Sequence, residues 1–107
     1  MMDKTLSLIS LSRKAGKLKM GSDPCLEAVA SGQARLVLYA SDLSPRTKLR
    51  LEDACSSSAD PPPRLALELD MFQLSQVCGK RTGVLAILDD GFARGLRTLI
   101  CPENKEE

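Results

Sequence analysis

Three groups of basic side chains in the sequence could bind the phosphates of a nucleic acid. The first group precedes a predicted helix start, the second lies on the next helix, and the third occupies a glycine-bounded loop late in the chain. Their members are Arg13, Lys14, Lys17 and Lys19, then Arg46, Lys48 and Arg50, then Lys80 and Arg81. Cations beside the outward-pointing N–H groups of a helix N-terminus suit a phosphate. A solvated surface explains any one group more simply, and for all three together the sequence leaves both interpretations open.

Catalytic chemistry has little support in the sequence. No histidine is present to serve as a base near neutral pH. Asp89 and Asp90 could bind a metal, but a turn followed by a helix N-cap explains them better. The cysteines are too far apart for a zinc knuckle or a redox dithiol and stand at Cys25, Cys55, Cys78 and Cys101. We therefore predict that the protein is not an enzyme, with no catalytic or metal-binding residues, no cofactor and no small-molecule substrate.

Composition indicates one small globular domain with an aliphatic core. The chain has 107 residues, of which 43% are hydrophobic and only 3% aromatic. The net charge is +1, but the segment 102–107 is locally acidic, which leaves 14 basic and 11 acidic side chains in 1–101. We expect a domain over 1–101 and a charged tail over 102–107. No apolar run is long enough to cross a bilayer and no signal peptide is evident, so we expect a cytoplasmic protein with no membrane partner.

Capping signals predict where the helices begin. Asp23 followed by Pro24 is typical of an N-cap and a first helical residue. Ser44 and Pro45 repeat that signal, and in the helix that follows we expect Leu49 to lie on the inner face. The second helix therefore should begin at Asp23 and the third at Ser44.

Apolar runs between the helices predict about four strands. The clearest run spans 35–40, a second spans 84–88, and shorter segments lie at 17–20 and 65–69. A capping box opens a further helix after the third strand. Because helices and strands alternate with crossovers of sufficient length, the sequence predicts an α/β fold, a three-layer α/β/α sandwich with a small mixed sheet.

Several of these motifs together resemble a known family. The run RKAGKL, a glycine and a helix start, SGQARLVLYASD with a following Ser-Pro, LSQVCGK and DGFAR occur in that order. They resemble the kink-turn-binding ribosomal-protein superfamily and, within it, the small bacterial proteins of the YlxQ type, over nearly the whole chain. The resemblance implies an α/β/α sandwich that grips a sharply bent, structured RNA, with ribosomal RNA and ribosomal proteins as candidate partners.

The resemblance also implies a set of RNA-binding residues. The family reads RNA at the start of its second helix with a glycine-x-asparagine-glutamate-x-x-lysine pattern, and its late loop packs against flipped-out bases. Gly21 matches the glycine of that pattern. The expected RNA-binding residues are Lys14, Lys17, Lys19, Gly21, Ser22, Asp23, Glu27, Val77, Cys78, Lys80 and Arg81.

Three positions of this chain depart from that pattern. Asp23 stands for asparagine, and an ionised carboxylate only accepts hydrogen bonds and repels phosphate. Pro24 stands for glutamate and removes an N–H from the helix start, while Glu27 replaces a cation with an anion. We expect Asp23 to cap its own helix. RNA binding should then be weaker than in the family's tightest members or directed to a different structured RNA, and the alternative is a protein-interaction module on the same fold.

Overall fold

The computed structural model describes residues 4–100 as a four-stranded sheet between two layers of helices. In chain order the elements are α1 (Lys4–Lys14), β1 (Leu18–Met20), α2 (Ser22–Ala30), β2 (Leu36–Tyr39), α3 (Pro45–Ser56), β3 (Arg64–Ala66), α4 (Met71–Cys78), β4 (Val84–Ile87) and α5 (Asp90–Ile100). The strand order is β1-β4-β2-β3. Strands β2 and β3 are parallel, and β4 is antiparallel to both β1 and β2. The predicted three-layer α/β/α sandwich with a mixed sheet is confirmed.

Successive side chains of the central strands point to opposite faces of the sheet, so the core has two halves, one under each helical layer. Leu38 and Leu85 pack with α1, α4 and α5 on one face of the sheet. Val37 and Ala86 pack with α2 and α3 on the other face. Every residue of β2 and β4 is buried because these strands have neighbours on both sides and helices on both faces.

Two of the predicted helix starts are confirmed by their hydrogen bonds. The Ser44 hydroxyl accepts from the Thr47 N–H at 3.3 Å, with proline at the first helical position. At α4 the Asp70 carboxylate accepts from the Gln73 N–H at 2.8 Å, and the Gln73 side chain accepts from the Asp70 N–H at 3.0 Å. Each cap joins two residues that are three apart in the sequence, so the local sequence pattern was sufficient to predict it.

The inward orientation expected for Leu49 is wrong. Its side chain is 63% exposed, whereas Leu51 and Cys55 of the same helix are fully buried. Residues two apart on a helix point in nearly opposite directions, so Leu49 and Leu51 cannot both face the core. Packing of α3 against α2 and the sheet selects Leu51.

Some sequence expectations fall outside the described residues. These are the expectations for Cys101 and for the charged tail over 102–107. Between residues 4 and 100, none of the helices combines the length and the apolar character that crossing a membrane requires.

Candidate nucleic-acid interface

The ends of three strands and the beginning of the fourth meet at one edge of the sheet. The Gly21 N–H donates to the Val84 carbonyl at 3.0 Å, and the Ala40 N–H donates to the Gly83 carbonyl at 2.8 Å. These bonds place the starts of α2 and α3 beside the late loop 79–83, and α4 begins at the same edge. We call this region the loop edge, and it comprises residues 20–23, 40–44, 67–72 and 79–83.

The start of α2 differs from its prediction. The helix begins at Ser22 with Gly21 as its N-cap, so the expected capping role of Asp23 is wrong. Gly21 has φ 98° and ψ 160°, a backbone conformation that favours glycine, and it turns the chain directly from β1 into the helix. Asp23 is consequently the second helical residue and Pro24 the third. The missing N–H of Pro24 costs no helical hydrogen bond, because the first N–H groups of a helix lack intrahelical acceptors.

The Asp23 carboxylate instead makes a surface ion pair with α3. Its Oδ1 lies 3.5 Å from Nη2 of Arg50, and the two side chains are 88% and 52% exposed. An exposed pair of this kind contributes little stability. It does bring Arg50 to the start of α2, while the neighbouring carboxylate offsets that positive charge.

The other basic residues of α3 lie apart from this pair. Lys48 places its Nζ 5.7 Å from the centre of the Tyr39 ring, a cation–π arrangement. Arg46 is exposed in the first turn of the helix. The second basic group is therefore divided among different neighbours rather than gathered into one cluster.

Arg13 joins the first basic group to the third. Its Nη1 donates to the Val77 carbonyl at 3.0 Å, across the gap between α1 and the end of α4. A Cβ built on Gly79 would lie 3.1 Å from Nη2 of Arg13, so the guanidinium rests on that glycine. Arg13 was absent from the predicted binding set, although its place in the RKAGKL motif was the signal that could have included it.

The lysines of the first group are exposed and stand in different parts of the fold. Lys17 lies at the end of β1 away from Gly21, where its carbonyl accepts from the Leu88 N–H at 2.9 Å. Lys19 lies on the edge strand β1, between the inward-facing Leu18 and Met20. Lys14 is exposed in the last turn of α1. The structure therefore places Lys17 away from the loop edge.

Two of the predicted contact side chains are core residues. Val77 is 7% exposed and Cys78 is 1% exposed, because both follow Leu74 on the inner face of α4. Thr82 is buried as well. Of the contact residues predicted at the end of α4 and in the late loop, Lys80 and Arg81 are therefore the two whose side chains are exposed.

The Cys25 thiol lies beneath the start of α2 and is fully buried. Its Sγ is 3.6 Å from the carbonyl oxygens of Lys19 and Val84. Burial raises the pKa of the Cys25 thiol to about 12. A thiol held in its neutral form is a poor nucleophile, so Cys25 acts here as a small packing residue.

This raised pKa predicts a loss of stability in alkaline solution. The unfolded chain releases the thiol proton near pH 9.0 and the folded chain near pH 12. Titration of Cys25 should therefore lower the free energy of unfolding between those values, and this one group contributes at most about 1.4 kcal/mol per pH unit. Urea denaturation on both sides of pH 9.0 measures the change. Cys25→Ala should flatten it only in part, because burial also raises the pKa of Cys78 and of Tyr39; an unaltered slope in that variant would contradict the assignment.

The four-stranded mixed sheet and its two helical layers define a small α/β/α protein, whose loop edge carries the exposed cations Lys80 and Arg81 beside the acidic side chains Asp23, Asp42, Glu68 and Asp70. The chain belongs to the ribosomal protein L7Ae/L30e/S12e/Gadd45 family, whose sequence model matches residues 3–96. The family resemblance inferred from the sequence motifs is thereby confirmed.

The sequences of two named relatives align with most of this chain. The RNA-binding protein YlxQ of Enterococcus faecium is 33% identical over 97 residues, which is 91% of each chain. The large ribosomal subunit protein eL30B of Schizosaccharomyces pombe is 35% identical over 88 residues, covering 79% of this chain and 73% of that protein.

Solved structures also resemble the fold. A protein of unknown function from Bacillus halodurans C superposes with a TM-score of 0.82 at 34% identity, covering 92% of this chain and 98% of the other. The Giardia lamblia 15.5kD RNA binding protein gives a TM-score of 0.71 at 21% identity, covering 98% and 92%. At that identity the second comparison supports the fold alone.

Proposed function

We propose that this chain is a non-catalytic RNA-binding protein that acts in the cytoplasm through its loop edge. The observation that carries the proposal is the meeting of the glycine-started helix α2 with the basic late loop. Gly21 bonds to Val84 directly after that loop, and Arg13 rests on Gly79 within it. Membership of the family and the RNA-binding relative from Enterococcus faecium support the same function.

The charges at this edge indicate how RNA would be held. Lys80 and Arg81 are exposed, and Arg13 stands beside them, so three cations can meet the phosphate backbone. Gly21 carries no side chain at the start of α2, which permits close approach of an RNA strand. Anions lie at the same edge, and they are Asp23 and Glu27 on α2 and Asp42, Glu68 and Asp70 ahead of α3 and α4. Affinity should therefore come mainly from phosphate contacts at the late loop and less from base recognition at α2.

We propose a structured RNA as the target, either a kink-turn-like element or ribosomal RNA. The ribosomal subunit protein among the relatives supports ribosomal association, with ribosomal RNA and ribosomal proteins as the candidate partners. The domain over 1–101 would carry the binding, and the acidic segment 102–107 would lie outside it. The charges agree with this assignment, because residues 1–101 carry a net positive charge that attracts phosphate, whereas the acidic segment 102–107 repels it.

A protein-interaction module on the same fold is the second candidate function. It is favoured by one observation, the anionic start of α2, where Asp23 and Glu27 are both exposed. Such a surface suits a partner with basic side chains better than a phosphate. The two functions differ in their response to neutralising Asp23 and Glu27, which should strengthen binding of RNA but weaken binding of a basic protein partner.

Titration against a kink-turn RNA and an unkinked duplex, each at two salt concentrations, tests the proposal. We expect preference for the kink-turn and a steep loss of affinity with salt. In the double variant Lys80→Ala and Arg81→Ala the affinity should drop by about tenfold or more, and the logarithmic salt slope should shrink by about 1.5.

The matched control removes two exposed cations elsewhere, Arg35→Ala together with Arg94→Ala. Arg35 lies at the opposite end of the sheet, where its N–H donates to the Ile87 carbonyl at 2.7 Å. Arg94 lies in the first half of α5. If the control lost as much affinity as the double variant, binding at the loop edge would be contradicted. The same conclusion would follow if the affinity of the natural protein for RNA did not fall with added salt. Absence of binding to either RNA would favour the protein-interaction module.

A further inference from the structure

An exposed apolar groove lies between α1 and α5. Its volume is about 610 Å³, and Leu8 and Leu99 line it together with Gly91 and Gly95. A Cβ built on Gly95 would lie 3.3 Å from Cδ1 of Leu8, so the leucine packs directly on that glycine. Of the four large hydrophobic side chains exposed among residues 4–100, two belong to these helices, Leu11 at 52% and Leu99 at 36%. Exposed apolar surface of this kind marks an interaction site.

The rim of the groove is positively charged. Lys4 and Arg94 line it and are exposed, and the described lining residues include no acidic side chain. Helices α1 and α5 carry three and two basic side chains, against Asp90 as their one acidic side chain. Asp90 already has a partner, since its Oδ1 lies 3.6 Å from Nε of Arg35. Because residues 1–101 hold 14 basic and 11 acidic side chains, the rest of that domain has nine and ten. The positive charge of the domain is therefore concentrated on this helix pair.

We propose that the groove between α1 and α5 binds an acidic amphipathic helix of a protein partner. The apolar side chains of the partner helix pack between Leu8 and Leu99, and its carboxylates lie beside Lys4 and Arg94. Such a helix presents apolar anchors at positions i, i+3, i+4 and i+7. Each helix of the pair has 11 residues, a length of about 16 Å that matches roughly three turns of a third helix. This surface is distinct from the loop edge, and the inference does not depend on RNA binding.

Other occupants fit the groove less well. An extended peptide would leave its N–H groups unpaired, because the sides of two helices offer no backbone partners. RNA would meet the cations, but the described lining residues include no aromatic ring on which a base could stack. A second copy of the chain would bring like cations face to face. An acidic amphipathic helix complements both the leucines and the cations.

Titration with a stapled helical peptide, followed by fluorescence anisotropy, tests the assignment. The peptide has about 14 residues, with leucine anchors on one face and glutamates on both sides of them, and the staple is needed because short helices are marginal in water. A second peptide carries lysine in place of every glutamate. We expect the natural protein to bind the acidic peptide more tightly than the basic peptide by about tenfold or more.

Charge reversal at the rim should reverse that preference. In the double variant Lys4→Glu with Arg94→Glu, affinity for the acidic peptide should fall by about tenfold or more and affinity for the basic peptide should rise. The matched control is Lys14→Glu with Arg97→Glu, which makes the same charge change at exposed residues of the same two helices outside the groove. It should change the affinity for the acidic peptide by less than about threefold, because charges at a distance are screened by salt.

The apolar part of the contact is tested separately. Leu99→Ala removes a leucine that lines the groove, and it should weaken binding of the acidic peptide by about fivefold. Leu49→Ala trims an exposed leucine of α3, in the other helical layer, and should leave the affinity unchanged. Equal effects of the two substitutions would contradict packing of the peptide in this groove.

Each remaining outcome would overturn the assignment. If the acidic peptide does not bind, or binds the rim variant as tightly as the natural protein, the groove does not accept an acidic helix. If Lys80→Ala with Arg81→Ala abolishes peptide binding, the loop edge holds the peptide. If the natural protein sediments as a dimer and Leu99→Ala sediments as a monomer, the occupant is a second copy. If a kink-turn RNA displaces the peptide and binds the Lys4→Glu, Arg94→Glu variant more weakly, the occupant is RNA.

Discussion

The variant that combines Asp23→Asn, Pro24→Glu and Glu27→Lys is expected to bind a kink-turn RNA about a hundredfold more tightly than the natural chain. Asp23 is exposed in the first turn of α2, so an asparagine there would offer a donor as well as an acceptor to a base edge. Pro24→Glu adds a carboxylate acceptor, and Glu27→Lys turns a repelling anion into a phosphate contact. Each good base contact contributes about 1–3 kcal/mol of discrimination.

The control for this triple variant carries the same net charge change at a distant position. Asp53→Lys replaces an exposed anion with a cation near the end of α3, away from the loop edge. Titration of both variants against the kink-turn and the duplex separates site chemistry from overall charge. If Asp53→Lys raised the affinity for the kink-turn RNA as much as the triple variant, the gain would come from the net charge of the protein and not from the start of α2. If the triple variant bound no better than the natural chain, the start of α2 would have no part in RNA recognition.

Leu51→Ala is expected to lower the free energy of unfolding by about 3 kcal/mol, the largest stability effect among the variants considered. Its side chain is fully buried between α3, α2 and the sheet, and truncation of a buried leucine costs roughly 2–5 kcal/mol. Leu49→Ala, two residues earlier on the same helix, should change stability by less than about 0.5 kcal/mol because that side chain is 63% exposed. Urea denaturation of the pair measures both.

This pair reports the rotation of α3 about its axis. If Leu49→Ala cost more than Leu51→Ala, the helix would be turned so that Leu49 faces the core, and the surface position of Arg50 beside Asp23 would change with it. A small cost for Leu51→Ala would instead mean that the core between the sheet and helices α2 and α3 is loosely packed.

Features set by local sequence were predictable. The Ser44 cap and the Asp70–Gln73 box each depend on side chains within three residues of the helix start, and both formed as expected. The apolar runs at β2 and β4 identified the two strands that are buried on both faces. From these signals the layered fold could be assigned before the structure was known.

Features set by distant contacts were not predictable. The start of α2 depends on Gly21, whose N–H bonds to Val84, a residue far along the chain. That tertiary bond overrides the local signal of Asp23 and Pro24. Likewise, the sequence shows two leucines on α3 but not which one the neighbouring layer will cover.

The strand order has a consequence for the timing of folding. Strand β4 lies between β1 and β2 and pairs with residues as distant in sequence as Leu18, which lies opposite Ile87. A growing chain that has not yet reached β4 leaves β1 without its partner, and β2 pairs with β3 alone. Contacts between such distant segments form late and slow the folding reaction. The loop edge therefore forms only after β4 has been synthesised, so a chain that stops short of β4 cannot present this surface to a partner.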